Sequence, residues 1–179
     1  IQRSRGLGDV YKRQEYDGRH YVGWQRQDNG PSIQAAVEEA ILNFCGEQVE
    51  VIAAGRTDSG VHALGMTTHF ALLNNNHDPA TVRKAINFHL GSQPIKIIET
   101  EIVPDSFHAR FSAIERRYLY RILNRQSPPT LDCGRVWHVP RKLDIAGMQE
   151  AAEILIGEHD FSSFRAVSYT HLRAHETSG

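Results

Sequence analysis

Residues 55–63 read GRTDSGVHA, from Gly55 to Ala63, between two apolar runs at 49–53 and 66–73 that both carry a strand-like pattern. A Gly-bounded loop at the end of a strand can hold one side chain rigidly in a cleft, and the only carboxylate in this loop is Asp58. Arg56 lies two residues before it and Thr57 is adjacent, so a cation and a hydroxyl flank the acid. Gly55 and Gly60 admit backbone geometry that other residues resist. A nearby cation favours the ionised carboxylate, which suits a nucleophile or base better than an acid. Asp58 is therefore the candidate catalytic residue. The competing reading is a loop Asp that closes an Asx-turn on a neighbouring backbone N–H.

Outward from this loop the periodicities change. Pro31 and Ser32 open an amphipathic helix in which Ile33, Ala36, Val37, Ala40, Ile41 and Phe44 recur at three- and four-residue spacing until Gly46. Asp78 and Pro79 start a second helix, continued by Val82, Ile86 and Leu90 and stopped by Gly91. Residues 95–103 are rich in β-branched side chains and read as a strand. With a strand ending at Tyr16, the order is strand, helix, strand, strand, helix, strand. That order predicts an α+β fold, a split βαβ pattern whose antiparallel sheet carries helices on one face. A further strand is predicted over 116–124, with Tyr118, Tyr120 and Ile122 on one face, and a third helix from Asp144 through Leu155 to Gly157.

Composition bounds the function. The chain of 179 residues carries a formal charge of −1, and no apolar run approaches the roughly 20 residues that span a bilayer. No charged region followed by a long apolar stretch marks a secretory signal, so a cytoplasmic protein without membrane contact is expected. Cys45 and Cys133 lack CxxC spacing, and the ten histidines include no HExxH arrangement, so neither a disulfide nor a metal site is predicted. The charge is unevenly placed: Arg110, Arg116, Arg117, Arg121 and Arg125 stand against Glu115 alone, with Tyr118 and Tyr120 between them. Arginines interleaved with tyrosines can hold phosphates and stack on an exposed base. The plainer alternative is a solvated strand with a charged face.

GRTDSGVHA resembles the signature loop of the TruA family of tRNA pseudouridine synthases, whose Asp is the nucleophile. The segments EYDGRHYVGWQRQ (15–27), FHARFSAIERRYLYRI (107–122) and HDFSSF (159–164) resemble that family in its usual order, so the likeness covers residues 15–167. The resemblance implies that Asp58 is the nucleophile and that Tyr118 stacks on the uracil. It also implies that Arg56 fills the space left by the flipped base. Trp24, Arg26, Arg110, Arg116 and Arg117 become candidate RNA contacts. It implies uridine isomerisation at positions 38–40 of the tRNA anticodon arm, with no cofactor, by a homodimer in which one tRNA meets both subunits. Two rivals are a noncatalytic RNA-binding fragment and a nucleoside hydrolase using Asp58; the absence of a carboxylate cluster argues against the latter.

The ends read differently. Residues 1–14 and 168–179 show no clear periodicity and are similar to translated sequencing-adapter sequence, so both are expected to be non-native tails. Without them the chain has 15 basic and 19 acidic residues, and any attraction to RNA must come from clustering. The expected domains are an N-terminal α+β domain over 15–107 carrying the catalytic loop, and the start of a second over 108–167. Ferredoxin-like or RRM-like repeats of the pseudouridine synthase fold are implied, the second one truncated. The family's downstream half carries an Arg that pairs with the catalytic Asp, and no segment here corresponds to it.

Overall fold

A computed structural model of the chain describes residues 9–73 and 77–164. The chain divides into two compact units. One runs to Arg121 and takes in Asp132–Arg135, and the other comprises Ile122–Leu131 and the chain from Val136 onward. Residues 108–121 fall within the first of these units.

The first unit contains β1 (Asp9–Tyr16), α1 (Ile33–Cys45), β2 (Ile52–Ala53), β3 (Ala63–Ala71), α2 (Pro79–Leu90) and β4 (Ile95–Val103). Its strands are ordered β2-β3-β1-β4, and every neighbouring pair is antiparallel. Both helices begin and end where their caps dictate. The Ser32 side chain accepts from the Ala35 N–H and the Asp78 side chain from the Thr81 N–H, while Gly46 and Gly91 close the C-termini. Ile33, Val37 and Ile41 of α1 meet Val82, Ile86 and Leu90 of α2 in one core with Val10, Phe70 and Ile95 from the sheet and Leu72 just after β3. Full burial of each such side chain contributes about 1.5–3 kcal/mol relative to leaving it exposed.

The second unit holds β5 (Ile122–Asn124), paired in parallel with β6 (Trp137–Val139), and α3 (Ile145–Glu153). The strand expected over 116–124 is thus confined to its last three residues, since β6 offers only three partners; residues 116–121 are irregular and exposed. Helix α3 starts as expected at Asp144, whose carboxylate accepts from the Gly147 N–H. It stops at Glu153, where shorter-range bonds from Leu155 to Ala152 and Ile156 to Glu153 tighten the last turn. None of its residues is buried.

Strand β1 corrects the reading of residues 9–14 as patternless. Asp9–Gln14 belongs to an inner strand, flanked by β3 and β4, with every second side chain buried. The other residues assigned to the tails, 1–8 and 168–179, lie outside the described residues. On the inward face of β1, however, Lys12 and Gln14 are both 0% exposed. Among the described residues neither the Lys12 ammonium nor the Gln14 amide has a hydrogen-bond partner; Lys12 Nζ lies over the Phe70 ring, 5.3 Å from its centroid. Each such orphaned group costs about 1–3 kcal/mol, and burial drives the Lys12 pKa well below its usual value, toward the neutral amine.

Two predictions follow from this strand. Lys12→Leu and Gln14→Leu, which restore an apolar inward face, are each expected to raise the unfolding free energy by about 1–3 kcal/mol in urea titrations; a loss of stability in both would refute the placement. For Lys12 the unfolded chain holds its proton up to about pH 10.4 while the folded chain releases it at lower pH. The parent's stability should therefore climb with pH through the interval ending near that value, and its deficit relative to Lys12→Leu should shrink in step.

Candidate active site

The signature loop joins β2 to β3 and is held from one side by the chain that follows β1. The Tyr16 hydroxyl lies 2.8 Å from Thr57 Oγ1, the Trp24 N–H donates to the Thr57 carbonyl at 2.9 Å, and Ser59 Oγ donates to the Tyr21 carbonyl. Burial pushes the Tyr16 phenol up to about 12, so it stays protonated. Two glycines make this approach possible. A Cβ on Gly18 would collide with the Val61 backbone, and one on Gly23, whose φ is 127°, would come within 2.7 Å of the Thr57 carbonyl oxygen.

A second tether crosses Asp17. Its carboxylate takes a bidentate contact from Arg19, with Arg135 at 3.4 Å, and these partners hold its pKa well below the usual carboxylate range, Arg19 most of all. His62 completes the hub. Its Nε2 donates to the Gly134 carbonyl at 2.9 Å. Its Nδ1 lies within reach of both the Gly18 N–H at 3.3 Å and the Asp17 carboxylate at 3.2 Å. It accepts from the first when neutral and donates to the second when protonated. His62 thus has a structural place in the loop. The return of Asp132–Arg135 to this hub was not legible, because a contact across more than a hundred residues leaves no local pattern.

Against this fixed frame, Arg56 and Asp58 both present exposed side chains. They form no ion pair with each other, and among the described residues nothing donates to the Asp58 carboxylate. The Asx-turn alternative is accordingly absent: Val61 N–H is accepted by the Asp58 backbone carbonyl, not by its side chain. The loop thus offers a carboxylate that its own backbone leaves unengaged.

The other candidates divide. Trp24 is 3% exposed, its ring 6.1 Å from that of Tyr16, so in this unit its indole packs into the core. Arg26 pairs with the buried Glu38 of α1, whose other oxygen accepts the Val51 N–H, so this Arg braces the helix against the run into β2. Arg116 reaches the foot of the signature loop, its Nε donating to the Ala54 carbonyl at 2.9 Å and its Nη2 to the Arg110 carbonyl at 3.1 Å. Arg117 pairs with Glu115 at 2.7 Å. Tyr118 is 72% exposed, and among the described residues no hydrogen bond joins it to the loop. No helix among them is long and apolar enough to cross a membrane.

Comparison with known proteins bears on this geometry. The profile of the tRNA pseudouridine synthase family matches residues 13–112, a span that contains the whole loop and both of its tethers from the β1 side. Among curated proteins, tRNA pseudouridine synthase A of Rhodospirillum rubrum is 60% identical over 152 residues, covering 85% of this chain and 54% of the relative. The protein of the same name from Rhodospirillum centenum is 57% identical, with 85% and 62% covered. That from Parvibaculum lavamentivorans is 51% identical over 153 residues, with 86% and 62% covered. The chain thus spans a little over half the length of the curated relatives it matches. With the match taking in the strand, the loop and the segments that tether it, this chain belongs to the tRNA pseudouridine synthase family.

Proposed function

We propose that the chain is part of a tRNA pseudouridine synthase that isomerises uridine at positions 38–40 of the anticodon arm, with Asp58 as its nucleophile. The observation that carries this reading is the exposed Asp58 carboxylate, unengaged among the described residues, on a loop tethered on one side of it by the Thr57 carbonyl and on the other by the Ser59 hydroxyl. The reaction breaks the bond between N1 of uracil and C1′ of the ribose, turns the base, and forms a bond from C5 to the same C1′. A proton leaves C5 and N1 gains one, so the product is an isomer and no electrons are gained or lost overall. The chemistry needs a carboxylate beside a flipped-out nucleotide and a wall for the ring. It also needs exclusion of water while the base is detached.

Asp58 supplies the carboxylate. Arg56, whose planar guanidinium has no partner among the described residues, is the group that occupies the gap left by the flipped base. Tyr118 is the stacking partner of the uracil. Arg110, Arg116 and Arg117 lie along an exposed stretch suited to phosphates, which matters because the total charge of −1 gives no general attraction to RNA. The reading extends to a cytoplasmic homodimer built from repeats of the pseudouridine synthase fold. In it, an Arg from the part of the fold beyond this match pairs with Asp58.

Two variants test the assignment on unmodified tRNA transcripts, with product mapped at positions 38–40. Asp58→Asn keeps the side-chain shape and removes the nucleophile, so pseudouridine formation should fall by at least about 10³-fold while tRNA affinity stays within a few-fold. Retained turnover would reject Asp58. A parent chain that binds tRNA and forms no product would favour the noncatalytic RNA-binding reading, and release of free uracil would favour a hydrolase. Arg56→Ala alters an exposed side chain without a partner among the described residues, so folding stability should move by no more than about 0.5 kcal/mol while turnover drops. Loss of the folded state would instead assign Arg56 a structural role.

A further inference from the structure

The outward face of the sheet in the first unit carries a cluster that the proposed chemistry leaves unexplained. Tyr11 of β1 and His69 of β3 are cross-strand partners, and the Phe107 ring stands edge-on to both, 5.8 Å from each. His69 is 6% exposed. Its Nδ1 accepts the N–H of Ala109 at 3.1 Å, and Ala109 is itself 1% exposed. The His108 ring lies 4.9 Å from that of His69 and stacks on Phe111 at 4.3 Å. Its Nδ1 accepts from the N–H groups of Arg110 at 3.2 Å and Phe111 at 3.3 Å. Both imidazoles therefore act as acceptors through Nδ1, which only the neutral Nε2–H tautomer allows.

From this cluster a hydrogen-bonded chain leads to the signature loop. The Arg110 carbonyl accepts from Arg116, Arg116 donates to the Ala54 carbonyl, and the Ala54 N–H donates to the Thr67 carbonyl of β3. Ala54 is the residue immediately before the loop. A cleft of about 220 Å³ is lined in part by Tyr11, Ala54, Thr67, Phe107 and Ile114, and Ser112 is bonded back to His108 through its N–H and its hydroxyl.

We propose that His69 and His108, as neutral imidazoles, are positioning residues that clamp residues 107–112 onto the sheet and thereby set Arg116 at the foot of the signature loop. Protonating either Nδ1 turns an acceptor into a donor facing a backbone N–H, which breaks the clamp. The surroundings favour the neutral form at His69: burial holds its pKa below the usual 6.5, His108 adds to this, and Asp9 of β1 pulls the other way. Tyr11 and Phe107 add uncharged walls. Glu101 of β4 stands opposite Tyr11 in the register, and the Arg110 guanidinium lies 5.8 Å from the Phe111 ring that backs His108. The clamp is independent of the proposed reaction, whereas the use of Arg116 toward RNA rests on that reading.

Amide hydrogen exchange on the full chain, followed by NMR against pH, separates the two. In the parent, protection of the Ala109 amide should fall about tenfold or more as pH drops below the usual imidazole value of about 6.5, while α1 amides keep theirs. His69→Asn places an Oδ1 acceptor that does not titrate where Nδ1 stood, so protection should persist across the range. His69→Phe should lack it at every pH. Should that variant unfold, the parent and the Asn variant still decide. Protection that ignores pH in the parent, or that is lost in His69→Asn at neutral pH, overturns the clamp. Affinity for a tRNA transcript should fall with pH in the parent more steeply than in His69→Asn; exchange that follows the expected pattern while affinity does not would overturn the link from Arg116 to RNA and leave the clamp standing.

Discussion

The backbone that follows β1 lies close against the backbone of the signature loop, and the candidate site depends on that contact. It requires glycine at positions 18 and 23, because a side-chain carbon at either would strike the loop's own backbone. Once the two stretches meet, the Trp24 N–H and the Tyr16 hydroxyl fasten Thr57, and Ser59 fastens to Tyr21. Asp58 sits between two anchored neighbours. A carboxylate so placed loses little conformational freedom on meeting a substrate, which is the benefit a rigid scaffold gives a functional loop. Trp24 contributes through its backbone and its buried ring, not through any exposed surface.

Asp17 adds an electrostatic counterpart. One carboxylate gathers Arg19, Arg135 and His62, and the cations stabilise its charge. His62 belongs to the loop and Arg135 to a segment far along the chain, so the hub ties distant sequence to the loop's C-terminal side. The opposite side is braced by Arg116 through the Ala54 carbonyl. The loop is thus held at Ala54, Thr57, Ser59 and His62, with the side chains of Arg56 and Asp58 left to solvent.

The inward face of β1 works against this order. Lys12 and Gln14 occupy positions where the alternation of the strand demands apolar groups, and each brings polar atoms with no partner into the core. The strand forms nonetheless, because its backbone is bonded on both sides to β3 and β4 and its ends, Val10 and Tyr16, pack into the core. Backbone pairing and neighbouring burial outweigh two unfavourable side chains, at a cost carried by the stability of the whole unit.

Helices α1 and α2 and strand β4 were legible in the sequence, with caps at Ser32, Gly46, Asp78 and Gly91, because cap chemistry and apolar spacing act within a few residues. The loop and its lone carboxylate were legible for the same reason. Strand β1 was legible only at its end, Tyr16, because Lys12 and Gln14 erase the alternation that the burial of the rest obeys. The predicted strand over 116–124 shrank to Ile122–Asn124 since strands exist only where a partner runs alongside, and partners are chosen over long distances. The sequence by itself determined where α1 and α2 begin and end and which acid the signature loop carries. Tertiary structure alone decided that Trp24 is buried, that Asp17 and Arg135 meet, and that Arg116 braces the loop through Ala54, because each depends on chain segments brought together from far apart.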